Sequence, residues 1–138
     1  MKKLTKTVAA PLATILLTAM SVSASAASSS FQNSCRNIKL HSNNSEAWIS
    51  AECQRHNGQY NPTTLPLRGL VNNDGRIQSQ SGAQTSYQNS CSNRRISWNS
   101  ESVRIRAVCL TRTGSEREAS IELTNIENRD GVLIRVNR

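Results

Sequence analysis

The chain has 138 residues, with 17 basic against 9 acidic side chains for a formal net charge of +8, four cysteines and five aromatic residues. That size bounds it to one modest domain and leaves little room for elaborate catalytic machinery. Glu116, Glu118, Glu122 and Glu127 are interspersed among the arginines of the second half, so the charge reads as a solvated surface and not as the basic stripe of a nucleic-acid binder.

Residues 1–26 have the layout of a secretory signal peptide: Lys2, Lys3 and Lys6, an apolar run from Val8 to Met20, then Ala24-Ser25-Ala26 ahead of Ala27. The run is too short to span a bilayer and nothing after Ala27 replaces it, so a secreted or periplasmic protein without membrane insertion is expected. The mature chain is then about 112 residues, residues 27–138, with charge +5 once the three signal lysines are removed. All four cysteines lie in this exported part, where disulfides persist.

A shift of 56 positions lays the mature chain on itself without a gap. Ser30-Phe31-Gln32-Asn33-Ser34-Cys35 falls on Ser86-Tyr87-Gln88-Asn89-Ser90-Cys91, Cys53 on Cys109, Gly58 on Gly114, Leu67 on Leu123, and Asn72-Asn73-Asp74-Gly75 on Asn128-Arg129-Asp130-Gly131. This is a tandem duplication. Repeat one covers about 30–77, a polar stretch over 78–84 reads as a flexible connector, and repeat two covers about 86–138.

Each copy reads as short strands and tight turns. Ala47, Ile49, Ala51 and Cys53 share one face of a strand, and Val103, Ile105, Ala107 and Cys109 repeat that parity, with Arg104 and Arg106 turned outward. Asp74-Gly75 and Asp130-Gly131 are hairpin turns, because Asp and Gly accept the positive φ of primed turns. Phe31 and Tyr87 read as core aromatics; Trp48 takes the outward parity of its strand, and Trp98 reads as part of a polar loop. Four cysteines allow three pairings, and the repeat selects Cys35 with Cys53 and Cys91 with Cys109. A four-cysteine zinc site would need closely spaced cysteine pairs, which the sequence lacks, so no zinc site is expected. Each copy has too few large apolar side chains to fold alone, so the two pack together. The connector also permits exchange of halves, and the chain is expected to be a monomer or a domain-swapped dimer.

On these residues, the repeat length, the cysteine placement and the two Asn-x-Asp-Gly turns, the sequence resembles the cyanovirin-N homology (CVNH) domain family of two-repeat lectins. The resemblance covers essentially the whole mature chain. It implies an all-β fold with pseudo-twofold symmetry, built from triple-stranded sheets and β-hairpins, in which each half draws strands from both repeats. It also implies that the partners are oligosaccharides or glycoproteins, mannose-type above all, with one sugar pocket at each end and no cofactor. Position by position, the first pocket maps onto Asn33, Ser34, Gln54, His56, Asn128, Arg129 and Asp130. Gln54 stands where the family has an acidic residue and His56 where it has a threonine. The second maps onto Asn72, Asp74, Thr85, Ser86, Asn89, Ser90, Thr111 and Arg112. Here Asn89, Leu110 and Val71 replace family residues that are glutamate, lysine and glutamate. Clustered carboxamides, hydroxyls and carboxylates suit this work, since vicinal sugar hydroxyls both donate and accept.

Two other functions are weighed against a lectin. A small phosphodiesterase built on His41 and His56 with Lys39 or an arginine is disfavoured because His41 falls in the loop between strands, His56 follows the disulfide cysteine on another segment, and neither recurs in the second copy. A disulfide-stabilised protein-recognition module on the same scaffold, using its arginine-rich face, is the alternative. The loops after Cys35 and Cys91 look longer than is usual in the family, and no role follows from the sequence.

Overall fold

A computed structural model describes residues 26–136. The expected signal segment lies outside the described residues except for Ala26. The described residues are all β apart from two one-turn 3₁₀ helices, η1 (Phe31–Asn33) and η2 (Tyr87–Asn89). Repeat one supplies β1 (Cys35–Ser42), β2 (Ala47–Gln54) and β3 (Tyr60–Leu67), then the short hairpin β4 (Leu70–Asn73) and β5 (Arg76–Ser79). Repeat two supplies β6 (Cys91–Trp98), β7 (Val103–Leu110), β8 (Glu116–Leu123), β9 (Ile126–Arg129) and β10 (Val132–Arg135). Every element of the second copy starts and ends 56 positions after its counterpart.

Each repeat forms a three-stranded antiparallel meander, β1-β2-β3 or β6-β7-β8, and a two-stranded sheet, β4-β5 or β9-β10. Alternation sets the two faces of the meander. Ala47, Ile49, Ala51 and Cys53 are all buried, as are Val103, Ile105, Ala107 and Cys109, while the residues between them are half-buried or exposed. Phe31 and Tyr87 are fully buried at equivalent places and close the core from the 3₁₀ turns. Asn37 (φ 52°) and its counterpart Asn93 (φ 49°) sit at a bulge early in the first strand of each sheet, a left-handed position that asparagine tolerates better than most residues.

The disulfides are Cys35–Cys53 and Cys91–Cys109, each joining residues directly opposite in register at a Cα separation of 4.0 Å. Each closes a sequence separation of 18, worth about 3 kcal/mol in the chain-entropy account.

The repeats exchange hairpins. β10 packs along β3 and β5 packs along β8, so each half of the molecule is a sheet from one repeat with the short hairpin of the other. Thr63 Oγ1 accepts from Leu133 N at 3.1 Å and Arg135 Nη2 donates to Pro66 O at 3.3 Å across one such junction. Both short hairpins turn on Asp-Gly with positive φ at the two central residues, 52° and 86° in the first and 48° and 87° in the second, the primed turn expected from the sequence.

Three readings are corrected. Gln78 and Ser79 are not connector: they end β5, paired with Val71 and Leu70 of β4, because Ile77 just before them is buried and anchors the strand in the core. The segment that follows is tied by Gln80 N to Gly69 O (2.7 Å) and Ala83 N to Gln80 O (3.2 Å). Trp98 is a strand residue, opposite Val103, because the β6–β7 hairpin runs longer than its polar composition suggests. His41 likewise lies in β1 and not in a loop; its ring stacks on Trp48 with centroids 5.4 Å apart, and its Nε2 is 2.7 Å from Ser50 Oγ.

Candidate functional site

At one end of the molecule the tip of the β9–β10 hairpin docks against the turn that follows Cys53. Asn128 is the joint. Its Nδ2 donates to Ser34 Oγ (2.9 Å) and to Gln54 O (2.9 Å), and its Oδ1 accepts from Gly131 N (2.8 Å). Both amide protons are therefore spent on the scaffold. Asp130 Oδ1 accepts from His56 N at 2.9 Å, and Ser34 O accepts from Gln54 N at 2.9 Å, so three chain segments lock into one shallow cup.

What faces outward is polar and hydrogen-bond competent. Asp130 has a second carboxylate oxygen that no described residue engages, Ser34 still has its own hydroxyl proton to donate, and the side chains of Gln54, His56 and Arg129 are exposed. Arg129 lies 3.9 Å from Glu127 and stays 69% exposed. Acceptor carboxylate, hydroxyl, carboxamide, imidazole and guanidinium within one cup can answer both the donor and the acceptor of adjacent sugar hydroxyls.

The other end repeats this wiring. Asn72 Nδ2 donates to Ser90 Oγ (2.8 Å) and Leu110 O (3.0 Å), Asn72 Oδ1 accepts from Gly75 N (2.8 Å), and Asp74 Oδ1 accepts from Arg112 N (2.9 Å). The outward groups differ. Leu110 stands in place of Gln54 and is 47% exposed, and Thr111 Oγ1 is taken up locally by Thr113 Oγ1 at 3.0 Å and by Ser115 N at 3.1 Å. This end presents more hydrocarbon and fewer free polar groups.

Four expected site residues go elsewhere. Asn33 Nδ2 donates to Ser100 O (3.1 Å) and Asn89 Nδ2 to Asn44 O (3.0 Å), each reaching the long hairpin tip of the opposite repeat. The hairpin tip that follows each first cysteine thus bonds the opposite repeat. Thr85 is buried; its hydroxyl donates to Leu67 O (2.7 Å) and accepts from Leu70 N (3.3 Å), clamping the β3–β4 corner. Ser29, its counterpart, clamps the other corner through Leu123 O (2.7 Å) and Ile126 N (3.1 Å). Ser86 uses its backbone N–H on Leu70 O at 2.8 Å, and its carbonyl accepts from Asn89 N at 3.0 Å within the 3₁₀ turn.

Two residues of the first cup were missed. Asn61 Nδ2 donates to Gly131 O (2.8 Å), and Arg55 Nη2 lies 2.6 Å from Asn61 Oδ1, so this pair forms the wall on which the hairpin tip rests. A β-carbon at Gly131 would come within 2.6 Å of Arg55 Cγ. Arg55 directly follows Gln54 and could have been included on adjacency alone; Asn61 gives no signal in the sequence.

This fold, with two hairpin-capped cups related by a pseudo-twofold, defines a two-repeat binding module. The sequence model of the CVNH domain family matches residues 31–134, and the chain belongs to that family. Among solved structures it is similar to microvirin in complex with mannobiose, at 30% identity and TM-score 0.58, covering 77% of this chain and 97% of that one. It is also similar to the CVNH protein of Gibberella zeae, at 26% identity and TM-score 0.54, covering 78% and 97%. A designed cyanovirin-N homolog lectin shares the fold at 23% identity and TM-score 0.58, covering 78% and 99%. No curated protein matches the chain.

Proposed function

We propose that the protein is an exported lectin that binds mannose-type or related oligosaccharides, without catalysis, through the cup formed by Ser34, Gln54, His56, Arg129 and Asp130. The observation that carries this reading is the free side of that cup: Asn128 holds the turn rigid while the Ser34 proton, one Asp130 oxygen and the Gln54 amide oxygen stay open to a ligand, the Gln54 Nε2 reaching Gly58 O at 3.5 Å. Microvirin, the 30% identical relative, is described in complex with mannobiose, which supports the substrate class. The Asn72 cup, with Leu110 at its mouth, is the weaker of the two. Should both bind one branched glycan, linkage raises the apparent affinity without any new contact.

The test is a glycan array with the oxidised mature protein, followed by chemical-shift mapping with the best ligand. Shifts centred on Ser34, Gln54 and Asp130, together with loss of binding in Asp130→Ala, are the expected result. Silence across mannose-type and other glycans from folded protein would overturn the reading in favour of a protein-recognition module.

A further inference from the structure

The two sheets share one backbone plan, so comparing them position by position separates what the fold requires from what it leaves free. Facing the core they mostly agree: Ile49 matches Ile105, Ala51 matches Ala107 and Cys53 matches Cys109, all buried, and Ala47 is matched by an equally buried and apolar Val103. Facing outward they part. One row of the first sheet reads His41, Trp48, Pro66 across the register; the second sheet has Ser97, Arg104 and Glu122 there. At the other end the first sheet pairs Gln54 with Tyr60, where the second pairs Leu110 with Glu116. The second face is a charged lattice, with Arg95 3.4 Å from Glu118 and Arg104 Nε donating to Ser120 Oγ at 2.8 Å. That is what a solvated sheet face ordinarily carries. Nothing in the shared fold calls for an indole, a phenol and prolines on its twin.

The first face is continuous with the Ser34–Asp130 cup, because Gln54 belongs to both. From Tyr60 to Pro66 the strand runs about 20 Å. Between the two ends lies a depression of about 510 Å³ that includes Lys39, Ser50 and Thr64. The face is nearly neutral: Arg36 bonds Glu52 at 2.9 Å and also lies 3.7 Å over the Tyr60 ring. Asn37 and Arg36 together hold the Glu52 carboxyl below the usual carboxylate range, so this acid is satisfied within the protein. Trp48, backed on one side by His41, lines a further depression with Thr64 and Pro66.

We propose that this outward face, from Tyr60 to Trp48, is a track for an uncharged oligosaccharide that continues beyond the Ser34–Asp130 cup. The proposal rests on the lectin reading and extends it. The chemistry is that of a sugar chain: apolar C–H faces of pyranose rings lie on aromatic and proline surfaces, and equatorial hydroxyls meet the hydroxyls and amine of Ser50, Thr64 and Lys39. A charged polymer would find no unpaired charge here besides Lys39, whereas the opposite face would suit it better.

The experiment compares mannobiose with mannohexaose by calorimetry for the wild-type protein, Trp48→Ala, Trp48→Arg and Tyr60→Glu. The last two install the residues that the second sheet already carries at these positions, so the fold accepts them. Mannohexaose is expected to bind the wild type at least tenfold more tightly than mannobiose, each variant to lose most of that gain, and mannobiose affinity to stay within twofold. Mannohexaose, but not mannobiose, should move the Trp48 indole N–H resonance. If both sugars bind equally, or if the variants keep the gain, the track is refuted while the cup stands. If neither binds folded protein, the mannose reading itself falls and the track for these sugars with it.

Discussion

Replacing Asn128 by alanine tests whether this residue touches sugar or builds the site. The structure gives its side chain three hydrogen bonds, to Ser34 Oγ at 2.9 Å, Gln54 O at 2.9 Å and Gly131 N at 2.8 Å, which join β9, η1 and the end of β2. A neutral hydrogen bond contributes about 1 kcal/mol net, and the half-buried setting lets water replace part of the loss, so Asn128→Ala should cost about 2 kcal/mol. For a domain of this size that lowers Tm by roughly 8 °C. Asn72 makes the same three bonds at the other end, so Asn72→Ala should cost the same within about 0.5 kcal/mol. The assay is thermal and urea unfolding followed by circular dichroism with the disulfides intact, with sugar binding measured on each folded variant. Asn128→Ala should abolish binding at the first cup while Asn72→Ala leaves it untouched. A Tm loss under about 2 °C for Asn128→Ala, or a large difference between the twins, would refute the claim that these asparagines act as structural joints.

Two further outcomes follow from single positions. Gly131→Ala forces a side chain onto φ +87° and sets its methyl 2.6 Å from Arg55 Cγ, whereas Gly58→Ala meets the same backbone penalty (φ +88°) with nothing within 4 Å. The first should lose about 1 kcal/mol more than the second in urea unfolding and weaken binding at the Ser34–Asp130 cup. Tyr87 is fully buried with a hydroxyl that has no partner among the described residues, and its repeat twin is Phe31. Burial pushes its phenol up to about 12, so its neutral form contributes stability that is present below pH 10 and is lost as pH rises toward 12. Tyr87→Phe should therefore be neutral or stabilising by about 1 kcal/mol at pH 7, and should flatten the fall in stability above pH 10. Clear destabilisation at pH 7 would mean that the hydroxyl has a partner after all.

Legibility from sequence divides along a physical line. Inward parity in β2 and β7, the cysteine partners and both Asp-Gly turns are determined within one repeat, and the 56-residue shift states each of them twice. The CVNH resemblance gave the mapping of the cups, and of its residues Ser34, Gln54, His56, Asn128, Arg129 and Asp130 do converge. What failed are contacts between segments far apart in the chain. Asn33 sits beside Ser34 in sequence, yet its amide is claimed by Ser100 O, 67 positions away. Asn61 reaches Gly131 O over 70 positions, and no local pattern foretells it. Thr85 could have been withdrawn from the second cup by the repeat itself. Its twin Ser29 precedes the other 3₁₀ turn with the same small hydroxyl and the same task of closing a strand corner.

Duplication makes the molecule its own control. At inward positions both copies answer to the same core, so agreement there reports folding and nothing more. The Asn-x-Asp-Gly tips agree for the same reason: Asn72 and Asn128 spend their amides identically on the opposite repeat, whatever ligand each end takes. Function has to be sought where equivalent positions differ while the backbone does not. Gln54 against Leu110, His56 against Arg112, Tyr60 against Glu116 and Trp48 against Arg104 are such places, and their first-repeat members belong to one sheet and the turn after β2. A fold that needed only stability at these exposed positions would gain little from an indole where a solvated arginine suffices. The asymmetry therefore supports the proposal that the working end is the sheet of the first repeat, capped by the hairpin of the second.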